Sequence, residues 1–148
     1  MIYTPLTKKA LAICFEAHKD QKDKSGMPYV FHPFHVAEST KTEAEVCTAL
    51  LHDVLEDTDT TDDDLRCAGM PTEVLEALKL LNHDKAVPYL DYIGKLKGNV
   101  LACTVKKADL LHNADLSRLD QITEDDRARA AKYQQAISVL ESPVVPKE

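Results

Sequence analysis

The run Ala49-Leu50-Leu51-His52-Asp53-Val54-Leu55-Glu56-Asp57-Thr58 joins an apolar stretch to four ionisable side chains. On a continuous helix His52 stands one turn from Glu56, and Asp53 one turn from Asp57. Buried charge without a partner is costly, so such a cluster calls for a cation or a functional role. Imidazole with carboxylate suits Mn²⁺, Fe²⁺ or Zn²⁺ better than Ca²⁺, which takes oxygen ligands. His52 and Asp53 are adjacent, about 100° apart around a helix, so they need further ligands from elsewhere. Two candidates stand out: His32, at a helix start before Pro33, and Asp109, between Ala108 and Leu110 in an apolar stretch. An ion on His32, His52, Asp53 and Asp109 would leave room for water and lower its pKa to about 7–9. Glu56 and Asp57 would flank that water as proton acceptor and donor, or orient it. The chemistry is metal-assisted hydrolysis of a phosphate ester or anhydride.

The elements that must position these residues are helical, because strand-like alternation is nearly absent. Thr7 is placed to cap a first helix carrying Leu11, Cys14, Phe15 and His18, and the segment from Lys22 to Pro28 breaks it. A short second helix starts at His32-Pro33, with Pro33 in its first turn. A third runs from about Thr42 to Glu56, with Val46, Ala49, Leu50 and Val54 inward. An acidic loop spans Asp57 to Asp64, and Thr61 with Asp64 caps a short turn ending at Gly69. Pro71 opens a helix with Val74, Leu75, Leu78 and Leu81 inward, and Pro88 opens another through Leu96. Asn99 caps a helix carrying Val100, Leu101, Val105, Ala108, Leu111 and Leu119. Thr123 with Asp126 caps the last helix, to about Leu140, and the tail from Ser142 to Glu148 is expected to fray. The reading is one all-α domain, residues 1–148, of seven to nine short helices.

Composition narrows the function classes. The formal net charge of −7 argues against broad binding of nucleic acid or of an anionic membrane. It leaves room for one phosphate ligand in a local pocket. Cys14, Cys47, Cys67 and Cys103 form no C-x-x-C pair, so neither a zinc ribbon nor a thioredoxin motif is present. No signal-peptide pattern opens the chain and no apolar run approaches about 18 residues, so the cytoplasm is the expected compartment. Nothing in the composition marks an oligomer interface.

Three ordered segments resemble the HD-domain phosphohydrolases, and within them the RelA/SpoT-type guanosine 3′,5′-bis(diphosphate) 3′-pyrophosphohydrolases. The first is His18-x-x-Gln21 through Lys24-Ser25-Gly26-Met27-Pro28-Tyr29-Val30-Phe31-His32-Pro33. The second is the opening run, with its H-D-x-x-E-D pattern. The third is Val105-Lys106-Lys107-Ala108-Asp109-Leu110-Leu111-His112-Asn113, like K-x-A-D-x-x-H-N. The resemblance implies a compact multi-helix HD fold and Mn²⁺ on His32, His52, Asp53 and Asp109. It also implies Glu56 and Asp57 as catalytic acids, and substrate contacts from Lys24, Ser25 and Asn113. The implied reaction releases pyrophosphate from the 3′ position of an alarmone nucleotide. With no synthetase domain following, the chain resembles the small single-domain alarmone hydrolases. Where that family usually has arginine, this chain has Asp23, Leu110 and Asp115. Either Lys22, Lys106, Lys107 or Arg118 compensates, or the substrate differs.

Plainer readings stand beside these. His18 and His112 lie at core spacing and fit buried, hydrogen-bonding or ligand-supporting histidines. His35 and His83 carry no motif and read as surface or core filler. The acids Asp59, Asp62, Asp63 and Asp64 read as a solvated loop and helix start. Two other functions compete with the alarmone hydrolase. One is an HD hydrolase of a different phosphorylated small molecule; the other is a helical binding or sensor module that keeps a metal for stability. The Glu56-Asp57 pair argues against the latter, which would not need it.

Overall fold

Small polar side chains set where the helices begin. The computed structural model describes residues 1–143 of the 148. Thr42 and Glu45 cap each other's backbone at the start of one helix, as do Thr61 with Asp64 and Thr123 with Asp126. Asn99 caps another through the amide of Ala102. The first helix starts a turn earlier than expected. Thr4 is its cap, Pro5 fills the first helical position, and Thr7 is the reciprocal partner rather than the cap.

Nine α-helices form among the described residues: α1 (Pro5–His18), α2 (Phe31–Glu38), α3 (Glu43–Leu51), α4 (Val54–Asp57), α5 (Asp62–Cys67), α6 (Thr72–Leu81), α7 (Tyr89–Leu96), α8 (Val100–Asn113) and α9 (Glu124–Glu141). A 3₁₀ turn spans Leu116–Arg118, and the only strand-like pairing among these residues is an isolated bridge between Lys22 and Pro28. No described helix is long and apolar enough to cross a membrane. Of the tail expected to fray, residues 144–148 lie outside the described residues.

The hub is α3, which packs against α1, α2, α6 and α8. Val46, Cys47, Thr48, Ala49, Leu50 and Leu51 are all buried, so this short helix is enclosed on every side. It does not continue to Glu56 as expected. The Nδ1–H of His52 donates to the carbonyl of Ala49, which the amide of Asp53 would need for the helix to run on. A side chain placed in the i→i−4 ladder interrupts it. The chain turns through Asp53 and restarts as α4, where the amide of Asp57 bonds the Asp53 carbonyl.

Two apolar faces are rotated from expectation. In α1 the buried stripe is Thr7, Ala10, Cys14 and His18, which leaves Phe15 58% exposed. In α8 it is Ala102, Val105, Asp109 and Leu110, while Val100 is 83% and Leu111 53% exposed. The hydrogen bonds of Asp109 turn α8 so that Leu111, two positions on, faces outward. Leu119 follows the 3₁₀ turn and is not part of α8. The acidic loop is shorter than expected, since α5 starts at Asp62.

Deleting a side chain from the hub leaves a cavity that the enclosing helices cannot close. Leu50→Ala should therefore cost about 2–5 kcal/mol. Leu111→Ala, on the outward face of α8, should change stability by less than about 0.5 kcal/mol. Urea unfolding midpoints of the two variants measure the contrast.

Candidate active site

The interruption after α3 is what brings two adjacent residues to one place. With its Nδ1–H committed to Ala49, His52 turns Nε2 inward, 3.1 Å from Asp53 Oδ2 and 3.3 Å from Asp109 Oδ1. From the start of α2, His32 brings its Nε2 to 2.7 Å from the same Asp109 oxygen and 3.9 Å from Asp53 Oδ2. Ligand atoms of His32, His52 and Asp109 lie within 4.8 Å of one another, and all three residues are buried. Asp53 borders that trio and also forms a second group with Glu56 and Asp57, again within 4.8 Å. The tyrosine hydroxyl of Tyr29 donates to Asp53 Oδ2 at 2.5 Å.

This donor set fits a divalent cation. A neutral His52 would point a bare nitrogen at two carboxylate oxygens, so the space among them must hold either a proton or a cation. Two imidazoles with carboxylate oxygen are ligands that Mn²⁺, Fe²⁺ and Zn²⁺ accept.

The charges are tuned by their neighbours. Burial alone would raise the pKa of Asp109, but Lys106 and then His52 outweigh it and hold the carboxyl well below its usual range. Lys106 donates to Asp109 Oδ2 at 3.0 Å, and the carboxylate keeps this largely buried ammonium charged against the effect of burial. Asp53 follows the same pattern: burial opposes its ionisation, but His52 brings it down to about 2. Glu56 and Asp57 go the other way. Burial, then the neighbouring carboxylates Asp57 and Asp53, raises Glu56, and burial followed by Asp53 raises Asp57. Groups with raised proton affinity beside a cation site suit proton transfer.

A cavity of about 210 Å³ holds His52, Asp53, Glu56, Asp57, Lys106 and Asp109. Tyr29, Asn113 and Tyr133 line both it and a neighbouring cavity of about 320 Å³, which contains Lys22, Lys24, Ser25, Arg118 and Arg129. All nine residues singled out from the sequence line one or both of these spaces. A larger cavity, about 860 Å³, lies between α1 and α5 beyond Asp57. Its rim carries Glu16, Asp20, Asp59 and Asp64 against Lys9 alone, which disfavours a phosphate.

Several residues that meet the site were given no functional role from the sequence. His83, read as filler, donates its backbone N–H to Glu56 and stacks its ring on Tyr92 at 4.4 Å. His35 stacks on His112 at 4.0 Å. Gln21 bridges two elements: its Oε1 accepts from His18 Nδ1, and its amide donates to the carbonyl of Asp57. Tyr29 and Gln21 lie in the first of the three ordered segments, beside His18 and His32. Nothing about Tyr89, Tyr92 or Tyr133 separates them from ordinary helix residues in the sequence.

The three departures from arginine have structural uses. Asp23 accepts from the amides of Ser25 and Met27 and from the Ser25 hydroxyl, which builds the turn that Gly26 completes with φ +82°. Asp115 caps the 3₁₀ turn through the amide and hydroxyl of Ser117. Leu110 is wholly buried in the core.

The helical frame and the His-Asp cluster define an HD-type domain. No protein-family model matches the chain. Its sequence is similar to those of proteins named as GTP pyrophosphokinases and as guanosine-3′,5′-bis(diphosphate) 3′-pyrophosphohydrolases. It is 32% identical over 144 residues to a GTP pyrophosphokinase of Myxococcus xanthus, a match that covers 86% of this chain and 19% of that protein. It is 35% identical over 117 residues to the guanosine-3′,5′-bis(diphosphate) 3′-pyrophosphohydrolase MESH1 of Danio rerio, over 70% of this chain and 64% of that one. The chain thus spans about a fifth of the length of the first relatives it matches. Its fold matches the solved structure of a metazoan ortholog of SpoT that hydrolyzes ppGpp. The TM-score is 0.75 and the identity 24%, over 95% of this chain and 88% of that one.

The tuning of His52 has a measurable consequence in protein stripped of divalent ions. Burial opposes protonation of this histidine, but Asp53 and Asp109 raise its pKa well above 6.5. A raised pKa contributes stability that is complete below 6.5 and lost as pH rises through the elevated value. In EDTA-treated protein the urea midpoint should fall on the alkaline side, and His52→Phe should remove that component of the fall. Adding Zn²⁺ at the same alkaline pH should restore the midpoint of the unaltered protein but not that of the variant.

Proposed function

We propose that the chain is a metal-dependent 3′-pyrophosphohydrolase of guanosine 3′,5′-bis(diphosphate), acting in the cytoplasm as a single HD domain. The observation that carries the reading is the meeting of two groups at one cavity: His52 and Asp109, from the trio that His32 completes, line it together with the Glu56 and Asp57 pair. The name of the Danio rerio relative supports the substrate.

In this reading His32, His52 and Asp109, with Asp53 at their edge, hold one divalent ion, Mn²⁺ by preference. Such an ion draws off phosphoryl charge and makes water a stronger nucleophile. The residues of the chain supply the rest. Glu56 or Asp57 takes the proton from the attacking water as its oxygen bonds to the phosphorus attached at the 3′ oxygen. The bond from that phosphorus to the 3′ oxygen breaks, and the other acid returns a proton to the departing oxygen. The products are pyrophosphate and the nucleotide 5′-diphosphate with a free 3′ hydroxyl. Lys106, already paired with Asp109, holds positive charge beside the transferred group. Lys24, Ser25 and Asn113 hold the remainder of the nucleotide in the adjoining cavity, where Lys22, Arg118 and Arg129 add positive charge. Asn113 also donates to Asp109 Oδ1 at 3.1 Å, which ties the two spaces together.

A second reading is favoured by Asp23 and Asp115, whose carboxylates are spent on their own turns. Without arginine at those places, an HD hydrolase of a different phosphorylated small molecule fits the same centre.

Purified protein with Mn²⁺ should release pyrophosphate from guanosine 3′,5′-bis(diphosphate), followed by phosphate-release assay after pyrophosphatase treatment. Turnover of another phosphate ester but not of this one would favour the second reading. Glu56→Gln and Asp57→Asn should each lower kcat by about 10²- to 10⁴-fold while leaving Mn²⁺ binding intact. Lys24→Ala should act mainly on KM. An acid variant that keeps full kcat would remove that acid from the reaction.

A further inference from the structure

The two histidines of the trio are held from behind in different ways. Behind His52 stands the carbonyl of Ala49, which can only accept, so the proton of neutral His52 is fixed on Nδ1. Behind His32 stands another imidazole. His32 Nδ1 and His112 Nδ1 are 2.6 Å apart, with the rings 14° from parallel and their centroids 4.9 Å apart. That nitrogen separation is too short for stacked faces, so the rings meet edge to edge. At this distance one nitrogen must carry a proton and the other must accept it.

An imidazole partner permits both directions. In one arrangement His32 Nε2–H donates to Asp109 Oδ1, and His32 Nδ1 accepts from His112 Nδ1–H. In the other, His32 Nδ1–H donates to His112 Nδ1, and His32 Nε2 presents its lone pair to the trio. Only the second arrangement can ligate a cation. We infer that His112 is a positioning residue that sets the tautomer of His32, and that cation binding switches both rings between these arrangements.

The switch balances. His32 gives up its proton at Nε2 and gains one at Nδ1, while His112 gives up its proton at Nδ1 and gains one at Nε2. No net proton leaves the pair. His112 also lines a cavity of about 290 Å³ shared with His35 and Asp115 but not with Asp109, through which water can exchange the outer proton. The stacking of His35 on the His112 ring at 4.0 Å, and the placing of His112 on α8 one turn from Asp109, hold that ring against His32. This inference rests on the reading that the trio binds a divalent ion.

The test uses the whole chain and Zn²⁺ alone, which is diamagnetic. Two-bond ¹H–¹⁵N spectra of the imidazoles should show His32 protonated at Nε2 in EDTA-treated protein and at Nδ1 after Zn²⁺ is added. His112 should change in the opposite sense. Titration calorimetry should show Zn²⁺ affinity about 10- to 100-fold weaker in His112→Phe, which keeps a ring without the acceptor. His112→Gln, which restores a carbonyl acceptor, should recover most of it. Zn²⁺ binding by His112→Phe equal to the unaltered protein, or a His32 tautomer that does not change on Zn²⁺ addition, overturns the inference and leaves the metal reading standing. If the unaltered protein binds no Zn²⁺, the metal reading falls and the inference falls with it.

Discussion

A single buried carboxylate constrains everything around it. Asp109 is 4% exposed and sits in the middle of α8, yet it remains ionised. That is affordable only because His32, His52, Lys106 and Asn113 all bring nitrogens to within 3.3 Å of its oxygens. These partners come from α2, the end of α3 and α8 itself, so the packing of those three helices and the state of one side chain are the same problem. Removing any partner leaves charge buried without compensation, which costs several times what the contact contributes when whole. A cation of higher charge than a proton would satisfy the same oxygens and nitrogens together.

The second constraint is the competition at Ala49. A regular helix through His52 and Asp53 would hold their side chains about 100° apart. By taking the Ala49 carbonyl, His52 ends the helix and lets Asp53 swing to the same side, 3.1 Å away. The same break frees α4 to aim Glu56 and Asp57 across the cavity, where Gln21 and the backbone of His83 hold it. The cluster depends on a defect in a helix, and the defect is written by His52, itself one of the cluster's members.

Much of this was legible in the sequence, for reasons that differ between residues. The helices announced themselves through Thr42, Thr61, Asn99 and Thr123, through Pro33 in the first turn of α2 and through the prolines before α6 and α7, since caps and breakers act locally. The ionisable residues stood out because His52, Asp53 and Asp109 interrupt apolar runs, where charge needs a reason. What did not show was anything set by tertiary contact. Periodicity put Leu111 inward on α8, but the partners of Asp109 fix the rotation of that helix. His83 carries no motif, because its contribution is a backbone amide and a flat ring, and either is available to many residues. Tyr133 reaches the site from α9, which meets it only after folding. Asp23 and Asp115 read as reversals of charge at a phosphate site, yet both spend their oxygens on local turns.

The central claim is that His32, His52 and Asp109 form one cation site, with Asp53 at its edge. X-ray absorption at the metal edge of protein loaded with one equivalent of Zn²⁺ tests it most directly. The account predicts a first shell of nitrogen and oxygen only, with the outer-shell scattering of two imidazoles, reduced to one in His52→Phe. A shell without imidazole scattering, or one unchanged by His52→Phe, would contradict it.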